Sequence, residues 1–319
     1  MQNIIYFNKD LKEVDDKIKE KLGIRGRRAV ELAAMELPIA PGFILDSELT
    51  LKLPHVNVKE ILKTYIGKIE KDTGKKFGDA EKPLMLKVVL SSDLNVPYFP
   101  SIHNIGMNNQ TVEGFAKFTG KDFAYGEYLF LLRNIGKNLF GVESAEVDKV
   151  EKKLSKTPKL DDIKAAIDIY KKYYDNKFSE DAYDQLSLIL KAASAKYCES
   201  EIDVDNSLSI MVQVMVYGNF GENSYSGNYY TRNIVTGDSV IQGEFYKNEF
   251  DGADGKARDI TKIEKKYFDH FTDIAKKIEA NFKEIRNVKF TIEEGDFWLV
   301  EQREVNEKST QSEIKTPAF

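Results

Sequence analysis

The sequence predicts a mixed α/β (α+β) protein built from more than one lobe. Strand-length apolar or alternating segments occur toward both ends, helical periodicity runs through residues 115–198, and residues 287–303 are patterned as a β-hairpin. A chain of 319 residues can bury a large core, and chains of that size commonly divide.

Taken in order, Ile4-Ile-Tyr-Phe7 suits a short strand. Leu11, Val14, Ile18 and Leu22 follow at helical spacing, with Gly23 placed to close that helix. A second helix is expected from about Arg28, stopped by Pro38 and Pro41. Val58, Ile61, Leu62, Tyr65, Ile66 and Ile69 form a helical stripe, and residues 84–89 read as a strand. Further stripes run through Tyr128, Leu131, Leu132 and Ile135, then Val147, Val150 and Leu154, then Ile163, Ala166, Ile167 and Tyr170, then Leu186, Ile189, Leu190 and Ala193. The charged run over 143–175 is read as the solvated faces of those helices. Strands return at 209–217, 228–232 and 240–246, and a long helix carries Ile263, Phe268, Phe271, Ile274, Ile278 and Phe282.

In the closing hairpin, a three-residue loop at Gly295 with a bulge would set Phe290 opposite Val300 and Ile292 opposite Trp298. The other face would then carry Asn287, Lys289, Thr291, Leu299, Glu301 and Arg303, with Lys289 opposite Glu301. Such a charge pair is either an ordinary cross-strand ion pair or the floor of a ligand site.

Composition narrows the function classes. The chain is 42% hydrophobic and 31% charged, as soluble globular proteins are. Its net charge of −5 gives no general attraction to nucleic acid or anionic membrane, so a phosphate ligand needs a local basic pocket. Apolar runs such as 210–216 are too short to span a bilayer, and the start lacks the pattern of a signal peptide. The single cysteine, Cys198, excludes an intramolecular disulfide, fits a reducing cytoplasm, and is expected to be a buried structural thiol.

Several motifs then occur in a telling order: Gly23-Ile-Arg-Gly26; Glu36-Leu-Pro-Ile-Ala-Pro-Gly-Phe43; the span 83–97; Asn104-Ile-Gly-Met-Asn108; Phe123-Ala-Tyr125; Val212 through Gly221; Thr231-Arg-Asn233; Thr236-Gly237; and Gly243-Glu-Phe245. Together with the hairpin they resemble, in sequence and nearly in register, the nucleotide-binding domain of the pyruvate, phosphate dikinase family. The resemblance covers most of the chain. It implies an ATP-grasp-like fold, two α/β lobes closing on a nucleotide, with a helical insertion. The expected division is a first lobe over 1–114, the insertion over 115–200, a second lobe over 201–306 and a tail over 307–319. Part of 201–240 is an alternative completion of the first lobe.

The resemblance implies ATP or another nucleotide as ligand, with nucleotide-binding candidates at Arg25, Gln213, Gly221, Gly227, Glu244, Lys289, Glu301 and Arg303. The chain departs from the family at most of the positions that carry chemistry. The family lysine falls on Arg25, a planar fork in place of a point charge. The family arginine falls on Val89, and the Ser-Gly after it on Leu90 and Ser91. The acidic pair that holds magnesium falls on Asn287 and Lys289, replacing two hard anionic ligands with an amide and a cation. The return-strand glutamine becomes Glu301, and Arg303 is kept. In the glycine-rich turn, Tyr225 stands where a glycine lets phosphate approach. Asn248-Glu-Phe-Asp-Gly-Ala-Asp254 follows its family counterpart only loosely. None of His55, His103 and His270 lies in the family's phosphohistidine context, and the chain is too short for the histidine and pyruvate-binding domains.

The leading expectation is therefore a nucleotide-binding or regulatory module with lost magnesium chemistry and no assigned catalytic or metal-binding residue. In one version Lys289 serves as a surrogate cation. A second reading is an ATP-dependent phosphotransferase subunit acting on a separately encoded histidine domain, with Glu244 or Glu301 recruiting magnesium. A third is protein interaction through an aromatic patch at Tyr225, Tyr229 and Tyr230.

Overall fold

The computed structural model describes residues 3–92, 101–140, 145–154, 158–174, 177–198, 208–250 and 255–305. The side chains of Val147 and Val150, the loop up to Pro97, residues 251–254 and the 307–319 tail lie outside the described residues. The chain forms two compact units: Met1–Tyr6, Asp15–Arg27 and Pro41–Met215 make the first, and Phe7–Val14, Arg28–Ala40 and Val216–Phe319 the second.

The helix expected over 11–22 is one short turn, α1 (Asp16–Lys19), because the Asp15 side chain caps the Lys17 N–H and starts it late. Gly23 opens the next helix, α2 (Gly23–Ala34), instead of closing the previous one. The first unit's sheet contains β1 (Ile4–Phe7), β2 (Gly42–Leu45), β5 (Leu86–Ser91), β6 (Ile102–Ile105) and β7 (Ser209–Val214), in the order β1-β2-β7-β5-β6. Two-residue strands β3 (Lys76–Phe77) and β4 (Pro83–Leu84) pair separately. All of β7 is buried, which suits an apolar strand inserted between two neighbours, with Val212 opposite both Phe43 and Val88. Helices α3 (Ser47–Lys52), α4 (Val58–Thr73) and α9 (Ala182–Cys198) pack together. The predicted stripe on α4 buries Leu62, Ile66 and Ile69 completely, each contributing about 1.5–3 kcal/mol. Helices α5 (Thr111–Thr119), α6 (Lys121–Leu139), α7 (Ala145–Lys153) and α8 (Leu160–Tyr174) complete the helical segment around buried Tyr128 and Tyr174.

In the second unit β8 (Tyr225–Tyr230), β9 (Gln242–Lys247), β10 (Arg258–Asp259), β11 (Arg286–Glu293) and β12 (Asp296–Glu304) form an antiparallel sheet, ordered β10-β9-β8-β11-β12. Helix α10 (Lys265–Phe282) covers one face, where Phe271 meets Phe290, Tyr229 and Phe297 at centroid distances of 4.4, 5.2 and 5.2 Å. Residues 38–40 join this unit because Ala40 N–H donates to the Leu299 carbonyl and Leu299 N–H to that of Pro38.

The hairpin differs from its predicted form in two ways. Its turn has two residues, Glu294 and Gly295 at φ +48° and +91°, the positive pair that a twisted hairpin prefers. The bulge lies within the strand, between Lys289 and Phe290, where Val300 is the extra residue of β12. Phe290 consequently faces Leu299 and Ile292 faces Phe297, while Lys289 does face Glu301. The shift also moves Leu299 off the charged face into full burial.

Three further expectations fail. Tyr225 and Tyr229 are 2% and 0% exposed, turned into the α10 side of the sheet, so they form no surface patch. Tyr225 hydrogen-bonds Glu264 at 2.5 Å and obstructs no approach from the opposite face. Cys198 is exposed, because as the last residue of α9 it falls outside the stripe that buries Ala193. His103 lies within strand β6. Among the described residues, no helix is long and apolar enough to cross a membrane.

Candidate functional site

Strand alternation turns half of each second-unit strand away from α10, and register assembles those side chains into rows. One row reads Gln242, Tyr230, Asn287, Arg303 across β9, β8, β11 and β12. The next reads Glu244, Asn228, Lys289, Glu301, and the third Tyr246, Ser226, Thr291, Trp298. A cleft of about 360 Å³ lies over this face, lined by Ser226, Gly227, Asn228, Tyr230, Glu244, Tyr246, Asn287, Lys289, Glu301 and Arg303. Two cations and two carboxylates line it, so its formal charge cancels.

Within the cleft Arg303 Nη2 donates to Glu301 Oε2 at 2.8 Å. That hydrogen bond holds the guanidinium proton still more firmly than usual, against the opposing effect of burial. The Tyr246 hydroxyl donates to Glu244 Oε1 at 3.1 Å. Gly227 contributes backbone only: a Cβ there would lie 2.4 Å from the Glu244 carbonyl oxygen and 2.8 Å from the Phe290 ring. Close packing of strand on strand and ring explains that glycine without any ligand.

Of the sequence candidates, the fold gathers Gly227, Glu244, Lys289, Glu301 and Arg303 in one place. Gly221 lies in the loop before β8, against the Glu294 side chain. Gln213 is 1% exposed near the end of β7 in the first unit. Arg25, also in the first unit, reaches Ser101 Oγ at 3.4 Å. The first-turn N–H groups of α2 at Arg25 and Gly26 donate to Ser91 Oγ, each at 3.0 Å. These two N–H donors are thus engaged by a side chain from β5. Sequence reasoning missed Ser226, Asn228 and Tyr246, and assigned Tyr230 to an aromatic interaction patch instead of this cleft. Their period-two spacing along β8 and β9 was the available signal, hidden until register put them beside Lys289. Among the described residues no group of three or more His, Cys, Asp and Glu side chains is arranged to hold a metal ion.

Several retained motifs have architectural roles. Asn108 Oδ1 accepts from the Gln110 and Thr111 N–H groups at the start of α5. Asn233 Oδ1 does the same for Val235 and Thr236. Arg232 forms a buried pair with Glu279.

Set against known proteins, the chain is 36% identical over 318 residues to the pyruvate, phosphate dikinase of Treponema pallidum, an alignment covering 95% of this chain. The chain is a homologue of pyruvate, phosphate dikinase. The dikinase of Clostridium symbiosum is 29% identical over 324 residues, covering 90% of the chain, and the chloroplastic dikinase of Mesembryanthemum crystallinum is 27% identical over 339 residues, covering 95%. The chain spans 35%, 37% and 36% of these three dikinases respectively. No protein-family model matches it. The resemblance drawn from the motifs and the two-unit α/β fold agree with this dikinase homology.

Proposed function

We propose that this chain is a nucleotide- or anion-binding module derived from the dikinase nucleotide-binding domain, impaired in magnesium-dependent phosphoryl transfer. The observation that carries the reading is the position of Lys289, central in the cleft and directly opposite Glu301. The dikinase resemblance puts one of the two magnesium carboxylates there and the other at Asn287. Magnesium needs hard anionic oxygens in near-octahedral geometry. An amide and an ammonium group do not fit it, and unit charges about 4 Å apart interact by roughly 1 kcal/mol in water and several times that at a protein surface. A phosphate fits better, because Lys289 and Arg303 project from adjacent strands with amide and hydroxyl donors beside them.

A second reading draws on Glu244 and Glu301, which do line the cleft: an active phosphotransferase working with a histidine domain. Three strand spacings, roughly 14 Å, separate their backbones, so the two could share one ion only by lying flat across Lys289. Calorimetry with ATP separates the readings. Binding that persists in EDTA and is lost in Lys289→Ala is the expected outcome. Tight binding only with magnesium would favour the phosphotransferase, and no nucleotide binding under either condition would favour a protein-interaction module.

A further inference from the structure

The cleft contains an anion of its own, placed where an incoming one would go. Glu301 stands opposite Lys289 across the hairpin. Its Oε2 also accepts from Arg303 Nη2 at 2.8 Å. The side chains of Glu301 and Arg303 are 27% and 57% exposed, so the glutamate is the more covered of the two. A carboxylate and a phosphate oxygen pair ask for the same donors from an arginine.

We propose that Glu301 is an intramolecular competitor that sets the specificity of the cleft against polyanions, and that a phosphate ligand binds by displacing it from Arg303. This rests on the reading of the cleft as an anion site. Glu244 is the internal control. It lies in the same row but is separated from β12 by two strands, and it engages Tyr246. Removing its charge lowers repulsion at a distance but frees no donor on Arg303.

The test is calorimetric titration of pyrophosphate, in EDTA at constant pH and ionic strength, into the wild-type chain, Glu301→Gln, Glu244→Gln, and Glu301→Gln combined with Lys289→Gln. Glu301→Gln is expected to bind roughly ten-fold or more tightly than wild type, Glu244→Gln to gain clearly less because only repulsion at a distance is relieved, and the double variant to lose the gain. Glu301→Ser, which also frees Arg303, should shift in the same direction. Wild-type binding with no gain in Glu301→Gln, or an equal gain in both single variants, would overturn the competitor role and leave the anion site standing. No binding in any variant would overturn both.

Discussion

Arg232 and Glu279 meet inside the second unit as a two-point ion pair, with Nη2 and Nε 2.6 and 3.0 Å from the two carboxylate oxygens. Their side chains are 7% and 12% exposed, and Thr231 Oγ1 adds a third hydrogen bond to the same carboxylate at 2.9 Å. Removing one partner strands a buried charge, which costs about 3–5 kcal/mol. Arg232→Ala should lower unfolding free energy by that order in urea titration. A variant carrying Arg232→Met and Glu279→Leu together should recover much of the loss. A double variant no more stable than Arg232→Ala would contradict this account.

The Ser91 hydroxyl ties β5 to the start of α2. It accepts from Arg25 N–H and Gly26 N–H at 3.0 Å each and donates to the Leu22 carbonyl at 2.8 Å. Ser91→Gly should therefore destabilise the chain by about 1–3 kcal/mol, because buried groups lose their partner. Thermal unfolding of this variant beside Ser91→Thr would read it out.

The hairpin turn stores a small strain at Glu294, a non-glycine residue at φ +48°. Glu294→Asn should raise stability by about 0.5–1 kcal/mol, since asparagine tolerates that region better. Gly295→Ala, at φ +91°, should lower it by about 1 kcal/mol or more. Chemical denaturation that ranks the two variants the other way would refute the turn assignment.

Glu304 links α2 to the hairpin through Arg28 and Arg286, the latter at 2.6 Å. Burial alone would raise its carboxyl, but hydrogen bonds from Arg28 and Arg286 outweigh that and hold it down, from the usual 4.5 to about 2. A depressed folded-state value means the stabilisation is complete above pH 4.5 and is lost as pH falls toward 2. Unfolding followed across that window should show a pH-dependent component that disappears in Glu304→Gln. An identical pH profile in the variant would exclude the linkage.

Much of the architecture was written in residue order. The helical stripe of α4 and the alternation of β11 are local patterns, and local patterns report which face of an element is buried. The same alternation sets Lys289 opposite Glu301, the pairing the sheet contains. It could not locate the bulge at Val300, since one extra residue changes the facing of Leu299 without altering composition. Nor could it show that Ser91, 66 residues from Arg25, takes the N–H groups a phosphate would need.

By itself, then, the sequence determined the mixed α/β class, the dikinase resemblance and the facing of Lys289 and Glu301. Periodicity, motif order and residue identity are properties of the chain alone. Only the tertiary structure decided that Lys289, Glu244, Glu301 and Arg303 share one cleft while Arg25 and Gln213 belong to the other unit. Cross-strand register and sheet membership arise from pairing between distant segments, and no local pattern encodes which strand a given strand will choose.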